Sequence, residues 1–219
     1  INKFFILIYY AIIKSNRVFI IFKDKIPSNL NLKSRSFYLP NGIDLSAFYP
    51  INREIAKNKL NLDNNKTYIL FVSSKAKLRG QKRYDIFNET IQILKANSVD
   101  FNFEELILTN IPRELCIYYY NAASVHLVTS DYEGSPNSVK EAMGCNIPVV
   151  STDVGNVKKM IVGATNCFIS EQDPAKLALC VLKAIQSSNC DLRKVLVDNG
   201  LTVENKTEEL LQIYSQIVQ

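Results

Sequence analysis

Two glutamates eight positions apart, Glu133 and Glu141, flank a turn made of Gly134, Ser135, Pro136 and Asn137. Upstream, five cations fall within nine residues: Lys75, Lys77, Arg79, Lys82 and Arg83. Carboxylates accept hydrogen bonds from hydroxyl groups, cations hold phosphate, and the free N–H groups at a helix start attract anions. Together these types suit a small polyhydroxylated ligand that carries phosphate. Gly134 lets a ligand approach the backbone, Ser135 is a candidate cap, and Pro136 suits a first helical turn because it has no N–H to leave unpaired. A purely local reading of the same residues is a capping box from Ser138 to Glu141, with Glu133 an ordinary acid beside a positive helix end.

Positioning such residues needs a strand that ends in the turn and a helix that begins there. Short apolar, β-branched runs at 18–22, 68–73, 106–109, 125–129 and 147–151 read as strands. Segments with helical spacing lie between and after them, at 84–95, 112–121, 138–145, 174–186 and 204–218. This alternation predicts βαβ units, hence an α/β, doubly wound parallel sheet with helices on both faces. Ligands of such sheets bind outside the carboxyl ends of the strands, which directs attention to the loops after Ser73, Thr109, Thr129 and Ser151. The clearest boundary is the turn Pro40-Asn41-Gly42. It separates residues 1–39, read as the remnant of a preceding domain and linker, from a sheet domain at 40–203 and a C-terminal helix at 204–219.

The 219 residues are 47% hydrophobic and 21% charged, with 7 Gly and 7 Pro, which places the chain among globular proteins. The formal charge of +5 is small and scattered, so nucleic acid is not an expected partner. Cys116, Cys145, Cys167, Cys180 and Cys190 are odd in number and widely spaced, which predicts a reducing compartment and no structural zinc. The apolar stretch 4–13, followed by Lys14 and Arg17, is about half a membrane span. The first residue is Ile1, and the chain reads as a piece of something longer. The single histidine, His126, lies within a strand and reads as a core residue, and the run Tyr118-Tyr119-Tyr120 is assigned to packing. Asp131-Tyr132-Glu133 superficially suggests a metal motif, but one extra carboxylate does not make a metal site.

Glu133-Gly134, Glu141-Ala142-Met143 and the following Asn146 to Gly155 resemble the E-x7-E signature and next strand of family 4 glycosyltransferases, which have the GT-B fold. Pro40-Asn41-Gly42-Ile43-Asp44 with Phe48 and Pro50 is similar to the segment by which that family enters its nucleotide-sugar-binding, Rossmann-like C-terminal domain, and residues 118–130 resemble its run before the signature. The resemblance implies that Glu133 faces the donor sugar and Glu141 the ribose hydroxyls, with Gly134, Ser135, Pro136 and Asn137 as the glycine loop. It implies that the loop with Asn110 and Ile111 accommodates the nucleobase, although a generic strand-to-helix turn would look the same. Val154-Gly155-Asn156 either shapes the sugar side or is a tight turn.

The chain departs from the family at the first strand of the domain, where Gly-Arg is usual and Ser73-Ser74 stands here. Aligning on Asp85 nominates Lys82 and Lys77 for the donor diphosphate; aligning on Gly80 nominates Arg79. Lys82 is preferred, then Lys77, with Arg79 in reserve. The implied reaction is retaining transfer of a sugar, of hexosyltransferase type, from a nucleotide-diphosphate sugar such as a UDP-sugar to an acceptor hydroxyl, in bacterial surface-polysaccharide assembly. The expected partners are the donor, a glycan or lipid-linked acceptor and an N-terminal domain, with no cofactor and no metal. The expected location is cytoplasmic, compatible with a peripheral place at the inner face of the plasma membrane. Alone, the chain is expected to bind donor weakly and not to turn it over. The alternatives are a non-catalytic nucleotide-sugar-binding remnant or another GT-B enzyme, such as a sugar-nucleotide epimerase.

Overall fold

The computed structural model describes residues 19–22, 35–73 and 80–218. The expected features at 4–13, Lys75, Lys77 and Arg79 lie outside the described residues. Two short parallel strands, β1 (Ile20–Phe22) and β2 (Ser36–Tyr38), form a small sheet of their own. After the Pro40-Asn41-Gly42 turn the chain forms α1 (Arg53–Lys59), β3 (Thr67–Val72), a 3₁₀ turn (Gly80–Lys82) and α2 (Tyr84–Asn97). It continues through β4 (Phe103–Leu108), α3 (Arg113–Ala122), β5 (Val125–Val128), α4 (Asn137–Gly144) and β6 (Val149–Thr152). The last elements are α5 (Val157–Met160), β7 (Phe168–Ser170), α6 (Pro174–Gln186), α7 (Leu192–Asp198) and α8 (Val203–Val218).

Five strands pair in the order β4-β3-β5-β6-β7, every neighbour parallel. Strands β5 and β6 are buried along their whole length, as strands covered on both faces must be. The period of two then divides side chains between layers. Ile69, Phe71, Leu127 and Val150 pack with Phe87, Ile91 and Leu94 of α2 and with Leu177, Val181 and Ala184 of α6. Leu70, Val128 and Val149 face the other way, against Ile117 and Tyr120 of α3, Val139, Ala142 and Met143 of α4, and Leu192 and Leu196 of α7. The doubly wound α/β architecture expected from the sequence is the architecture found.

The helix read at 174–186 is α6, which starts on proline with the Asp173 carboxylate accepting from Lys176 N at 2.8 Å. The other four expected helices agree with α2, α3, α4 and α8 to within two residues at each end. The sequence reading lacks β2 and β7, three-residue strands, and α1, α5 and α7, of seven, four and seven residues. Such lengths are too short to carry a readable period.

The Pro40-Asn41-Gly42 turn is fastened to the later part of the chain. Lys140 of α4, fully buried, donates from Nζ to the Asn41 carbonyl at 2.5 Å, and Ile43 exchanges backbone hydrogen bonds with Leu201 and Val203 at the start of α8. A side chain on Gly42 would meet the Thr202 carbonyl oxygen at 2.5 Å, so only glycine lets these segments approach. From β3 the sheet first grows outward to β4, then returns past β3 to add β5. The crevice at the carboxyl ends of β3 and β5 is therefore the topological switch point, where open α/β sheets bind their ligands.

Candidate functional site

Lys82 and Glu133 meet across that crevice. Lys82 ends the 3₁₀ turn that follows β3, and Glu133 stands in the loop that leaves β5. Lys82 Nζ lies 2.5 Å from Glu133 Oε1, and the two side chains are only 14% and 12% exposed. Ser130 Oγ donates to the same carboxylate oxygen at 2.7 Å. A pair this shielded from water is held in one geometry by charge and by hydrogen bonds together.

The loop that carries Glu133 is pinned from four directions. Thr129 Oγ1 donates to the carbonyls of Lys82 and Arg83 at 2.9 and 3.0 Å, and Gln81 Nε2 donates to the Tyr132 carbonyl at 2.6 Å. Thr152 Oγ1, at the end of β6, donates to the Ser130 carbonyl at 2.8 Å. Gln172, after β7, donates to the Thr129 carbonyl and to Asp131 Oδ1, both at 2.9 Å. The Asn156 N–H donates to the Gly134 carbonyl at 3.0 Å. Gly155 has φ +55 and lies so close that an added Cβ would collide with the Gly134 carbonyl oxygen. Gly155 is thus both a turn residue and the floor under the glycine loop.

Beyond Gly134, the structure revises the expected capping. The N-cap position of α4 is Pro136, and no side chain among the described residues caps the helix. Ser135 Oγ instead accepts from Asn156 Nδ2 at 3.3 Å, and the Ser138-to-Glu141 box is not formed. The reason is that both box residues have partners on other elements. Glu141 Oε2 accepts from the Tyr120 hydroxyl of α3 at 2.6 Å, and Ser138 Oγ lies 3.1 Å from His126 Nε2. The other ring nitrogen of His126, Nδ1, lies 3.1 Å from the Leu70 carbonyl, which can only accept. Nδ1 is therefore the protonated nitrogen, and Nε2 accepts from Ser138. Burial, which penalises the imidazolium, brings the His126 pKa down to about 4 against the opposing pull of the Leu70 carbonyl, with the Lys82 charge assisting. Burial also drives the Tyr120 pKa well above its ordinary value, with the Glu141 charge adding to the effect, so Tyr120 stays a donor.

The two described cations of the run separate by role. Arg83, with φ +50, pairs with Asp85 at 2.8 Å and with Asp131 at 3.0 Å and so braces the loop. Gln172 first, and Arg83 second, hold Asp131 below the usual carboxylate range. Lys82 reaches the crevice; Lys77 and Arg79 fall outside the described residues. Asn110, with φ +51, and Ile111 follow β4, the strand next to β3, on the same carboxyl edge as the crevice. No group of three or more metal-capable side chains occurs among the described residues.

Two residues near the site are not among those singled out from the sequence as site residues. Tyr120 is wholly buried, as expected of packing, yet its hydroxyl is the donor to Glu141. Ser73, 2% exposed at the carboxyl end of β3, has an Oγ with no hydrogen-bond partner among the described residues. Its position at a strand end was the available signal for Ser73; Tyr120 required the α3–α4 contact to be known.

Comparison with known proteins places this geometry in context. Residues 102–187 match the family model described as glycosyl transferases group 1. An uncharacterized glycosyltransferase from Methanocaldococcus jannaschii is 26% identical over 199 residues, which cover 80% of this chain and 50% of that relative. The chain spans half or less of the length of the curated relatives it matches. A glycosyltransferase from Rickettsia africae superposes with a TM-score of 0.73 at 17% identity, over 100% of this chain and 68% of that one. Anabaena HepE, solved in complex with UDP and glucose, gives a TM-score of 0.69 at 14% identity, over 94% of this chain and 66% of that one. The fold is the α/β, Rossmann-like fold of these GT-B glycosyltransferases, and over residues 102–187 the sequence is similar to group 1 glycosyl transferases.

Proposed function

We propose that the chain is the donor-binding half of a retaining glycosyltransferase of family 4, which transfers a sugar from a nucleotide-diphosphate sugar to an acceptor hydroxyl. The observation that carries this reading is the Lys82–Glu133 pair at the switch point, next to a helix start that no described side chain caps. When the bond from the sugar to the diphosphate breaks, negative charge grows on the departing phosphate oxygens. Lys82 and the N–H groups of the turn from Ser135 to Asn137 oppose that charge. Because the turn is already braced through Asn156 and Thr152, it has little to reorganise as the charge develops. Glu133 orients the sugar and supports its oxocarbenium-like character. Glu141 holds the ribose hydroxyls with its second oxygen, which accepts nothing from the described residues, and the loop with Asn110 and Ile111 receives the base. Lys77 and Arg79 are further candidates for the diphosphate.

In this reading the cations and helix N–H groups meet the phosphate charge without a metal, so binding is insensitive to a chelator. The acceptor, a glycan or a lipid-linked sugar, is bound by an N-terminal domain, and the task is bacterial surface-polysaccharide assembly at the cytoplasmic face of the membrane. No helix among the described residues is long and apolar enough to cross a membrane. UDP is the first nucleotide to try, given the ligands named for the Anabaena protein. A thermal-shift screen of UDP-, GDP- and ADP-sugars, each with and without EDTA, tests the proposal. One nucleotide class should raise the melting temperature equally in both conditions. No shift with any of the three contradicts the reading.

A further inference from the structure

Among the described residues, the carboxylate of Glu141 is oriented by a single hydrogen bond. Its charge is felt by Cys116 and Tyr120 of α3 and by Cys145 at the end of α4, whose pKa values all rise through burial first, with the Glu141 charge contributing. All three therefore stay protonated, and among the described residues only the Tyr120 hydroxyl donates to the carboxylate, at 2.6 Å to Oε2. The phenol ring itself has no freedom to move. It is 0% exposed, with Phe48 edge-on at 5.8 Å and His126 edge-on at 6.2 Å. His126 in turn is fixed between the Leu70 carbonyl and Ser138, one turn before Glu141 on the same helix. A rigid ring thus ends in a hydroxyl that holds one oxygen of a half-buried carboxylate and leaves the other turned to a ligand.

We infer that Tyr120 is the positioning residue for Glu141, fixing the rotamer in which that carboxylate receives a vicinal diol of the donor's nucleoside. This rests on the reading of Glu141 given above. Tyr120 touches no substrate; it acts through the glutamate, as outer groups do when they orient a binding side chain. Removing the hydroxyl while keeping the ring would leave Glu141 in its place without a defined direction and with one oxygen unsatisfied.

Calorimetric titration of UDP, GDP and ADP into the 219-residue chain, its Tyr120→Phe and Glu141→Ala variants, and the double variant tests the inference. For whichever nucleotide binds, Tyr120→Phe should weaken affinity about tenfold, as expected for losing one charge-assisted hydrogen bond. Glu141→Ala should weaken it at least as much, and adding Tyr120→Phe to Glu141→Ala should change nothing further. A merely structural Tyr120 would weaken binding in both backgrounds alike, and that additive result overturns the inference. Affinity unchanged in Tyr120→Phe but lowered in Glu141→Ala overturns it while leaving the site reading intact. Absence of binding of all three nucleotides to the unmodified chain overturns the site reading and this inference with it. If Tyr120→Phe lowers the melting temperature, the same titrations run 15 °C below its transition keep the comparison valid, about where folded protein predominates.

Discussion

At the scale of single residues, His126 couples the site to pH. Its native pKa of about 4 lies below the ordinary 6.5 because burial disfavours the charged ring. Between those values the unfolded chain binds a proton that the native state refuses. Stability is therefore complete above the ordinary pKa and is lost as pH falls through it toward the native one. The total is on the order of 3 kcal/mol for a shift of this size. Urea unfolding from pH 7 to pH 4 should show this decline, and His126→Asn, whose amide can still donate to the Leu70 carbonyl, should flatten it. An unchanged slope in the variant contradicts the assignment. The residue scale is also where the sequence was least legible. Glu133, Glu141 and the turn between them are contiguous, so their spacing could be read directly. Tyr120 sits in a run of three tyrosines that looks like packing, and only the meeting of α3 and α4 singles it out. Ser135 reads as a candidate cap because capping is a local property, but Asn156, from a later loop, engages its hydroxyl instead.

At the scale of elements, the site is a loop held by its neighbours. The segment from Thr129 to Gly134 receives hydrogen bonds or gives them to residues that follow β3, β6 and β7, so its shape belongs to the sheet and not to its own sequence. Gly155 is the tightest of these supports, with positive φ and the Gly134 carbonyl against its Cα. Gly155→Ala should destabilise the domain by at least about 2 kcal/mol, since the clash is with backbone and the conformation is strained for any L side chain. Denaturant unfolding gives the number; a cost under half of that would show that the loop yields easily and is not a rigid cradle. The strands and longer helices were legible because apolar runs and helical spacing mark buried elements of sufficient length. β7 has three residues of intermediate exposure, and α5 has four residues, so neither offers a pattern long enough to read.

At the scale of the molecule, the sheet order explains why Lys82 and Glu133 meet where they do. β4-β3-β5-β6-β7 puts the crevice between β3 and β5, and the two sides of that crevice contribute one cation and one carboxylate. The α/β class and the carboxyl-edge location were both readable, because alternating strands and helices leave few topologies open. The strand neighbours were not, since nothing local tells β5 to lie beside β3. The chain spans half or less of its curated relatives, and under the proposed reading the acceptor is bound elsewhere. The chain alone should therefore bind donor weakly and release no free or transferred sugar above background when incubated with labelled nucleotide sugars. Robust transfer by these 219 residues would contradict that division of labour.

The central claim is that the Lys82 crevice and the start of α4 receive a diphosphate. Its most direct measurement is the affinity of the chain for UDP compared with uridine, by calorimetry, in the unmodified protein and in Lys82→Gln. The account predicts that UDP binds more tightly than uridine, and that Lys82→Gln reduces this preference about tenfold while uridine binding is unaffected. Equal affinity for UDP and uridine, or a preference that survives the loss of Lys82 undiminished, would contradict it.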